Sequence, residues 1–296
     1  MRAMHRLSST LIWVGLAVLS TVCGVFRAGA QQHESAAQLV REVAYNELHD
    51  HERHGYWRYW VEKHTPHDTR LEQQVETSEG TLARLLLANG RPLDERSQQE
   101  EQARLVRLMN SPKEQASERE AYLEDEKRIA SVLDLMPDAF LYEYGIDENG
   151  CRRLRFRPNP GYAPRTMEAH VVHAMSGELW VDARLKRLVR LDGQLDDNVD
   201  FGFGLLGRLN KGGWVRLQRT PVSANEWKTE RLEVHVTGRA VIFKSIGRET
   251  SEVRGGFAAV PAGNLAEGVR ILQQADARTL AIANARMSPV ALTRTR

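Results

Sequence analysis

The sequence predicts an α+β fold built on a mostly antiparallel sheet of eight or more strands, with helices packed on one face. Three observations carry that expectation. From Ala139 to Ile246 the apolar residues recur with period two, as where Leu232, Val234 and Val236 alternate with Arg231, Glu233 and His235, so each strand has one buried and one wet face. No strand–helix–strand rhythm runs through that stretch, which argues against a doubly wound parallel sheet. Helical spacing is confined to a short N-terminal segment, a charged block over 94–135 and a segment after residue 262.

Taken in order, the chain opens on a leader. Arg2 and Arg6 precede an apolar run from Leu11 to Val25, and Ala28-Gly29-Ala30 follows, which is the pattern of a signal peptide over residues 1–30 that is cleaved on export to the periplasm or beyond. The run is shorter than the ~20 residues a membrane-spanning helix needs. The 296-residue chain carries 41 Lys and Arg against 39 Asp and Glu, a net +2, and loss of Arg2, Arg6 and Arg27 with the leader makes that −1. Such a balance gives no global field for nucleic acid. Cys23 leaves with the leader, so Cys151 remains alone. An intrachain disulfide is thereby excluded, and the thiol is expected to face solvent in the Asp147–Gly150 turn.

Ala36, Leu39, Val40 and Val43 mark an amphipathic helix that frays near His49. Residues 56–61 are rich in aromatic residues and alternate, with Trp57, Tyr59 and Val61 on one face and Tyr56, Arg58 and Trp60 on the other. Thr69–Thr77 and Gly80–Leu87, running into the Asn89-Gly90 turn, complete a three-stranded meander. In the charged block, Pro112 separates a stripe of Leu105, Leu108 and Met109 from one of Tyr122, Ile129, Leu133 and Met136, which predicts two helices with wide solvated faces. Strands are expected at 140–144, 154–156, 169–175, 178–181, 185–191, 232–236 and 241–246, with a turn at Thr237-Gly238. Asn264 with Glu267 forms a capping box for a last helix bearing Leu265, Val269 and Leu272.

No motif for catalysis stands up to its context. Gly202-Phe203-Gly204-Leu205-Leu206-Gly207 matches a dinucleotide fingerprint in letters, yet no helix follows to present its N-terminus to a pyrophosphate, so a glycine-rich connection between strands is the better reading. His49, His51, His54, His64 and His67 gather near the first helix end, but His51 and His54 lack the i, i+4 spacing of a zinc-binding helix, and a solvated turn region accounts for them. On the expected strand 169–175, His170 and His173 would point to opposite faces and could not share an ion. No catalytic residue, metal site or cofactor is assigned. The five tryptophans Trp57, Trp60, Trp180, Trp214 and Trp227 sit on or beside expected strands, where they pack the core or line an apolar cavity.

The stretch Gly177-Glu178-Leu179-Trp180-Val181-Asp182, then Lys186-Arg187-Leu188-Val189-Arg190-Leu191, with Thr229–Val236 and Ala240–Ile246, resembles the strand series of periplasmic outer-membrane lipoprotein-sorting proteins of the LolA/LolB type. The resemblance implies an unclosed antiparallel half-barrel over residues 31–261, with the charged block 94–135 as a helical insertion, helices across the concave face, and a C-terminal helix and tail over 262–296. It also implies an apolar cavity for acyl chains and no enzyme activity. Trp57, Tyr59, Val61, Val172, Trp180 and Val234 are the candidates to line it, with Phe203, Leu205 and Leu206 either closing over its mouth or completing the core. The expected partners are a lipid or a lipoprotein acyl chain, with transient membrane contact. The alternative is an envelope sensor or scaffold that recognises a protein partner through the same fold.

Overall fold

In the computed structural model, described for residues 34–49, 55–201, 207–240, 245–261 and 263–274, helix α1 (Ala36–Leu48) leads into four strands, β1 (Tyr56–His64), β2 (Thr69–Thr77), β3 (Gly80–Ala88) and β4 (Arg91–Pro92). Helices α2 (Glu95–Asn110) and α3 (Pro112–Ala139) follow. After them come β5 (Phe140–Tyr144), β6 (Cys151–Pro158), α4 (Met167–His173), β7 (Met175–Asp182), β8 (Leu188–Leu195), β9 (Val199–Phe201), β10 (Gly207–Leu209), β11 (Trp214–Pro221), β12 (Trp227–Ala240), β13 (Ser245–Val260) and α5 (Leu265–Gln273). The order across the sheet is β4-β3-β2-β1-β13-β12-β11-β8-β7-β6-β5, with β9 and β10 attached beside β12, and every pairing is antiparallel. Its two end strands, β4 and β5, do not meet, so the sheet is an unclosed half-barrel of α+β class.

The register traces each face from end to end. Val75 stands opposite Arg58, Trp60 opposite Gly255, Val253 opposite Arg231, Arg231 opposite Gln218, Gln218 opposite Arg190, and Arg190 opposite Trp180. Because directly opposed residues point the same way, Val75 and Trp180 share one face. The other face carries Trp57, Tyr59, Val61, Val234, Leu217, Leu179 and Leu154. That second face is the concave one. Val222, beyond the end of β11, packs on the Trp57–Tyr59–Val61 row although β13 and β12 intervene, and Lys228 of β12 reaches Glu76 of β2 at 2.9 Å. In a flat sheet, strands three apart stand about 14 Å apart, so these contacts require the sheet to curl.

Two cores form on opposite faces. On the concave side, Leu39, Val40 and Val43 of α1 pack with Ala139, Phe140, Leu154, Phe156, Leu179, Val181 and Leu188. The inward spacing of α1 is the one its sequence shows. Glu47 ends that helix by accepting from Arg187 Nε and Nη2 (2.9 and 3.0 Å) and Leu188 N (3.0 Å), and it also pairs with Arg219 at 2.5 Å. On the convex side, Leu105 and Leu108 of α2 and Leu265, Val269 and Leu272 of α5 pack on Val75 and Leu82. The capping box of α5 forms as its spacing implies: Asn264 Oδ1 accepts from Glu267 N at 2.9 Å, and Glu267 Oε2 accepts from Gly263 N at 2.7 Å. Pro112 does start α3, with Ser111 as its N-cap.

Helix α2 also covers the edge that β4 leaves open on β3. Glu101 accepts from Leu85 N at 2.9 Å, and Arg104 donates to Ala83 O at 2.5 Å, so two side chains one turn apart stand in for a neighbouring strand. Helix α3 is a strut whose middle is bare: Leu123 and Ile129 are exposed, and Tyr122 rests against Gly80. No helix among the described residues is long and apolar enough to cross a membrane.

Three sequence expectations are corrected. Residues 169–173 belong to helix α4 and only Met175 is in a strand, because Thr166 caps the helix by accepting from Ala169 N at 3.1 Å; the β-branched pair Val171-Val172 suggests a strand. Thr237-Gly238 is not a turn. Strand β12 runs through it, and Gly238 is required there because a Cβ would collide with Arg208 O of β10. The stretch after Ile246 is the long strand β13, at the heart of the sheet; its Gly255-Gly256 pair, with φ of +67° at Gly256, sits at the bulge opposite Arg58–Trp60 and hides the strand from periodicity. The leader 1–30 and the tail 275–296 lie outside the described residues.

Candidate functional site

The concave face between the α1 core and the Trp57–Tyr59–Val61 row is a shallow trough floored by β11 and β12. Val215 stands opposite Val234 and Leu217 opposite Leu232, with Val236 next along β12. All five are half-buried. Leu217 joins the rim of the α1 core, whereas among the described residues Val215, Leu232, Val234 and Val236 belong to no buried cluster. Gly193 of β8 faces Val215, and a Cβ there would press on Met175 and Val215, so the glycine keeps the floor low.

The trough has one aromatic wall. Trp57, Tyr59 and Val61 of β1 are buried with Val222 and Phe257, and the Tyr59 and Phe257 rings lie 5.2 Å apart. Between this wall and the apolar floor runs a polar row on β13, where Arg254 Nη2 donates to Glu252 at 2.7 Å. Lys63 pairs with Glu72 at 2.8 Å on the flank. Burial pushes the Tyr59 hydroxyl well above its ordinary pKa; the Glu76, Glu252 and Glu72 carboxylates push the same way and Arg254 opposes them, so the group stays a neutral phenol. Three donors here are buried with no acceptor among the described residues: Trp57 Nε1, Trp227 Nε1 and Arg254 Nε.

The candidates named from sequence divide. Trp57, Tyr59, Val61 and Val234 all lie on the concave face, the first three in one buried cluster and Val234 on the floor outside it. Trp180 does not join them. It lies on the convex face, capped by the guanidinium groups of Arg153 (5.4 Å) and Arg190 (4.4 Å), with its N–H donated to Glu148 at 3.1 Å. Val172 is on α4 and packs into the α1 core. Phe203, Leu205 and Leu206 lie outside the described residues, as do His51 and His54. Val215, Leu217, Phe257 and Arg254 were not singled out in advance. The alternation Trp214-Val215-Arg216-Leu217-Gln218 carried the signal for the first two, while the Gly255-Gly256 bulge masked the others.

The remaining chemical candidates resolve plainly. His49 bonds to Tyr45 O and stacks on the Tyr45 ring, while His64 meets Thr69 and Glu62. His170 and His173, far from facing apart, are one turn apart on α4 and border a cleft of about 270 Å³ with Asp197, Asn198 and Asp200. In that cleft His173 Nε2 donates to Asn159 O at 2.8 Å, and Asp200 is held by Arg208 at 2.5 and 2.9 Å. Among the described residues no three His, Cys, Asp or Glu side chains are placed to hold a metal. Cys151 is half-buried instead of solvent-facing. Burial, with Asp182 and Glu148 nearby, pushes its thiol up, away from the reactive thiolate. No family model matches the chain, and no curated protein or solved structure is significantly similar to it.

Proposed function

We propose that this chain is an exported, non-catalytic binding protein that shelters an acyl chain, of a lipid or a lipoprotein, in the concave trough. The observation that carries the reading is the half-exposed aliphatic row Val215, Leu217, Leu232, Val234 and Val236, set on the concave face between the α1 core and the Trp57–Tyr59–Val61 row. Aliphatic side chains left partly open in a concavity gain about 25 cal/mol for each Å² that a ligand removes from water. A methylene chain fits this lining because the floor offers it no polar partner to satisfy. The resemblance to lipoprotein-sorting proteins supports the same reading, and so does the leader-like segment 1–30. Transient contact with a membrane would deliver and collect the cargo.

The test is native mass spectrometry of the protein recovered from the periplasm of an expressing bacterium. The reading expects a copurifying mass that organic extraction identifies as a lipid. A protein found only bare, or only with a stoichiometric protein partner, contradicts the carrier and favours a sensor or scaffold role for the same fold.

A further inference from the structure

Resting on that reading, we infer that helix α3 spans the mouth of the trough and that Ile129, on its underside, touches the sheltered chain, which therefore lies between a strand floor and a helix and not on an open face. Ile129 stands seven residues after Tyr122 and seven before Met136. Seven residues bring an α-helix back to within about 20° of the same direction. Tyr122 rests on Gly80 of β3, and Met136 packs into the α1 core, so this side of α3 faces the body of the protein at both ends. Ile129 shares the direction, yet it is 56% exposed. A bare isoleucine between two packed neighbours on one side of a helix means that the helix bridges a gap there.

The topology places the floor of the trough across that gap. Helix α3 touches β3 near one border of the sheet and runs straight into β5, the strand at the other border. Met136 packs with Leu154 and Leu179 on the concave side, so α3 crosses the opening of the half-barrel on that side. The stretch from Tyr122 to Met136 is a bridge of about 21 Å, at a rise of about 1.5 Å per residue. Strand β12 is the sixth of the eleven strands in the path from β4 to β5, so β12 and β11 form the bottom of the curl, opposite the middle of the bridge. Ile129 is that middle. Below it lies the half-exposed row Val215, Leu217, Leu232, Val234 and Val236, with the α1 core to one side and the Trp57–Tyr59–Val61 row to the other. A methylene chain lying between two aliphatic surfaces removes both from water, whereas a chain on an open face gains from one alone. Leu123 provides the contrast on the same helix. It is as exposed as Ile129, at 58%, but six residues away it is turned by about a third of a turn, off the underside.

The test uses the full chain and titration with N-phenyl-1-naphthylamine, a neutral apolar probe whose fluorescence rises when it leaves water, in the parent and in the Ile129→Asp, Leu123→Asp and Val234→Asp proteins. Ile129→Asp is expected to weaken binding at least fivefold, with a melting temperature within a few degrees of the parent because Ile129 fills no core. Leu123→Asp should bind as the parent does. The milder Ile129→Ser should weaken binding about threefold, and it decides by the same criterion if Ile129→Asp melts early. Parental affinity in both Ile129 variants, with binding lost in Val234→Asp, puts the chain on the floor alone; it overturns the contact with α3 and leaves the acyl-chain reading intact. Equal weakening by Ile129→Asp and Leu123→Asp makes the effect one of added charge on the helix and overturns the inference too. If the parent does not bind the probe, both the inference and the reading it rests on fail.

Discussion

The two ends of the sheet solve the same problem in opposite ways. At the β5–β8 end, α1 and α4 cover the concave face and no described helix lies on the convex one; at the β1–β3 end, α2 and α5 cover the convex face and, among the described residues, the concave one is left to the aromatic wall. Where the helix layer is missing at the first end, arginines replace it. Arg153 and Arg190 lie over Trp180 and bring it to 7% exposure, and Arg216 lies 4.5 Å over the Trp214 ring. The difference teaches where the open surface must fall. Helix cover changes face between the two ends, so the concave side of β11 and β12, midway, is covered by neither set.

The comparison predicts different failures at the two ends. The largest effect belongs to Glu47, the carboxylate that joins α1 to β8 and β11. Replacing it with Ala removes the carboxylate that buried Arg219 pairs with and one that Arg187 pairs with, which is expected to cost about 3–5 kcal/mol and to lower the melting temperature by roughly 10 °C in a calorimetric scan. An unchanged melting temperature would show that α1 is not clamped this way. At the other end, Leu272→Ala empties a fully buried site beneath α5 and should cost about 2–4 kcal/mol, with amide exchange accelerated in α5 and β2 before β6 and β7. Uniform acceleration across the sheet would mean the two cores open as one.

A smaller effect concerns acid. Burial alone would raise the Glu101 carboxyl, but hydrogen bonds from Arg104 and Leu85 N outweigh it and hold the group below its ordinary value. A depressed folded-state pKa gives stability that is present above the unfolded value of about 4.3 and lost as pH falls through the folded one. The edge contact of α2 with β3 should therefore loosen below about pH 4, seen as faster exchange of Leu85 N–H. In the Glu101→Gln protein that pH dependence should vanish.

Much of this architecture was legible beforehand, and for identifiable reasons. Helix α5 was fixed by a local device, its capping box, and β2 and β3 by clean alternation into an Asn89-Gly90 turn whose residues take φ of +52° and +71°. What escaped was set by tertiary contact. Gly238 looks like a turn residue but is small because β10 crosses close by, and α4 is fixed by the hydroxyl of Thr166 against an apolar pattern too short to declare its period. Within the site, the aromatic wall was readable because Trp57, Tyr59 and Val61 alternate. Placing Trp180 was not, since its face follows from register accumulated across seven strands.

The central claim is that the concave floor, which no described helix covers, binds an acyl chain, and one measurement meets it directly. Val234→Asp puts a carboxylate in the middle of the aliphatic row without touching either core. Titration of the parent and the variant with N-phenyl-1-naphthylamine, alongside their melting curves, should show at least tenfold weaker binding in the variant and a melting temperature within a few degrees of the parent. Equal affinity in a variant that melts normally would mean the trough is not where the ligand sits.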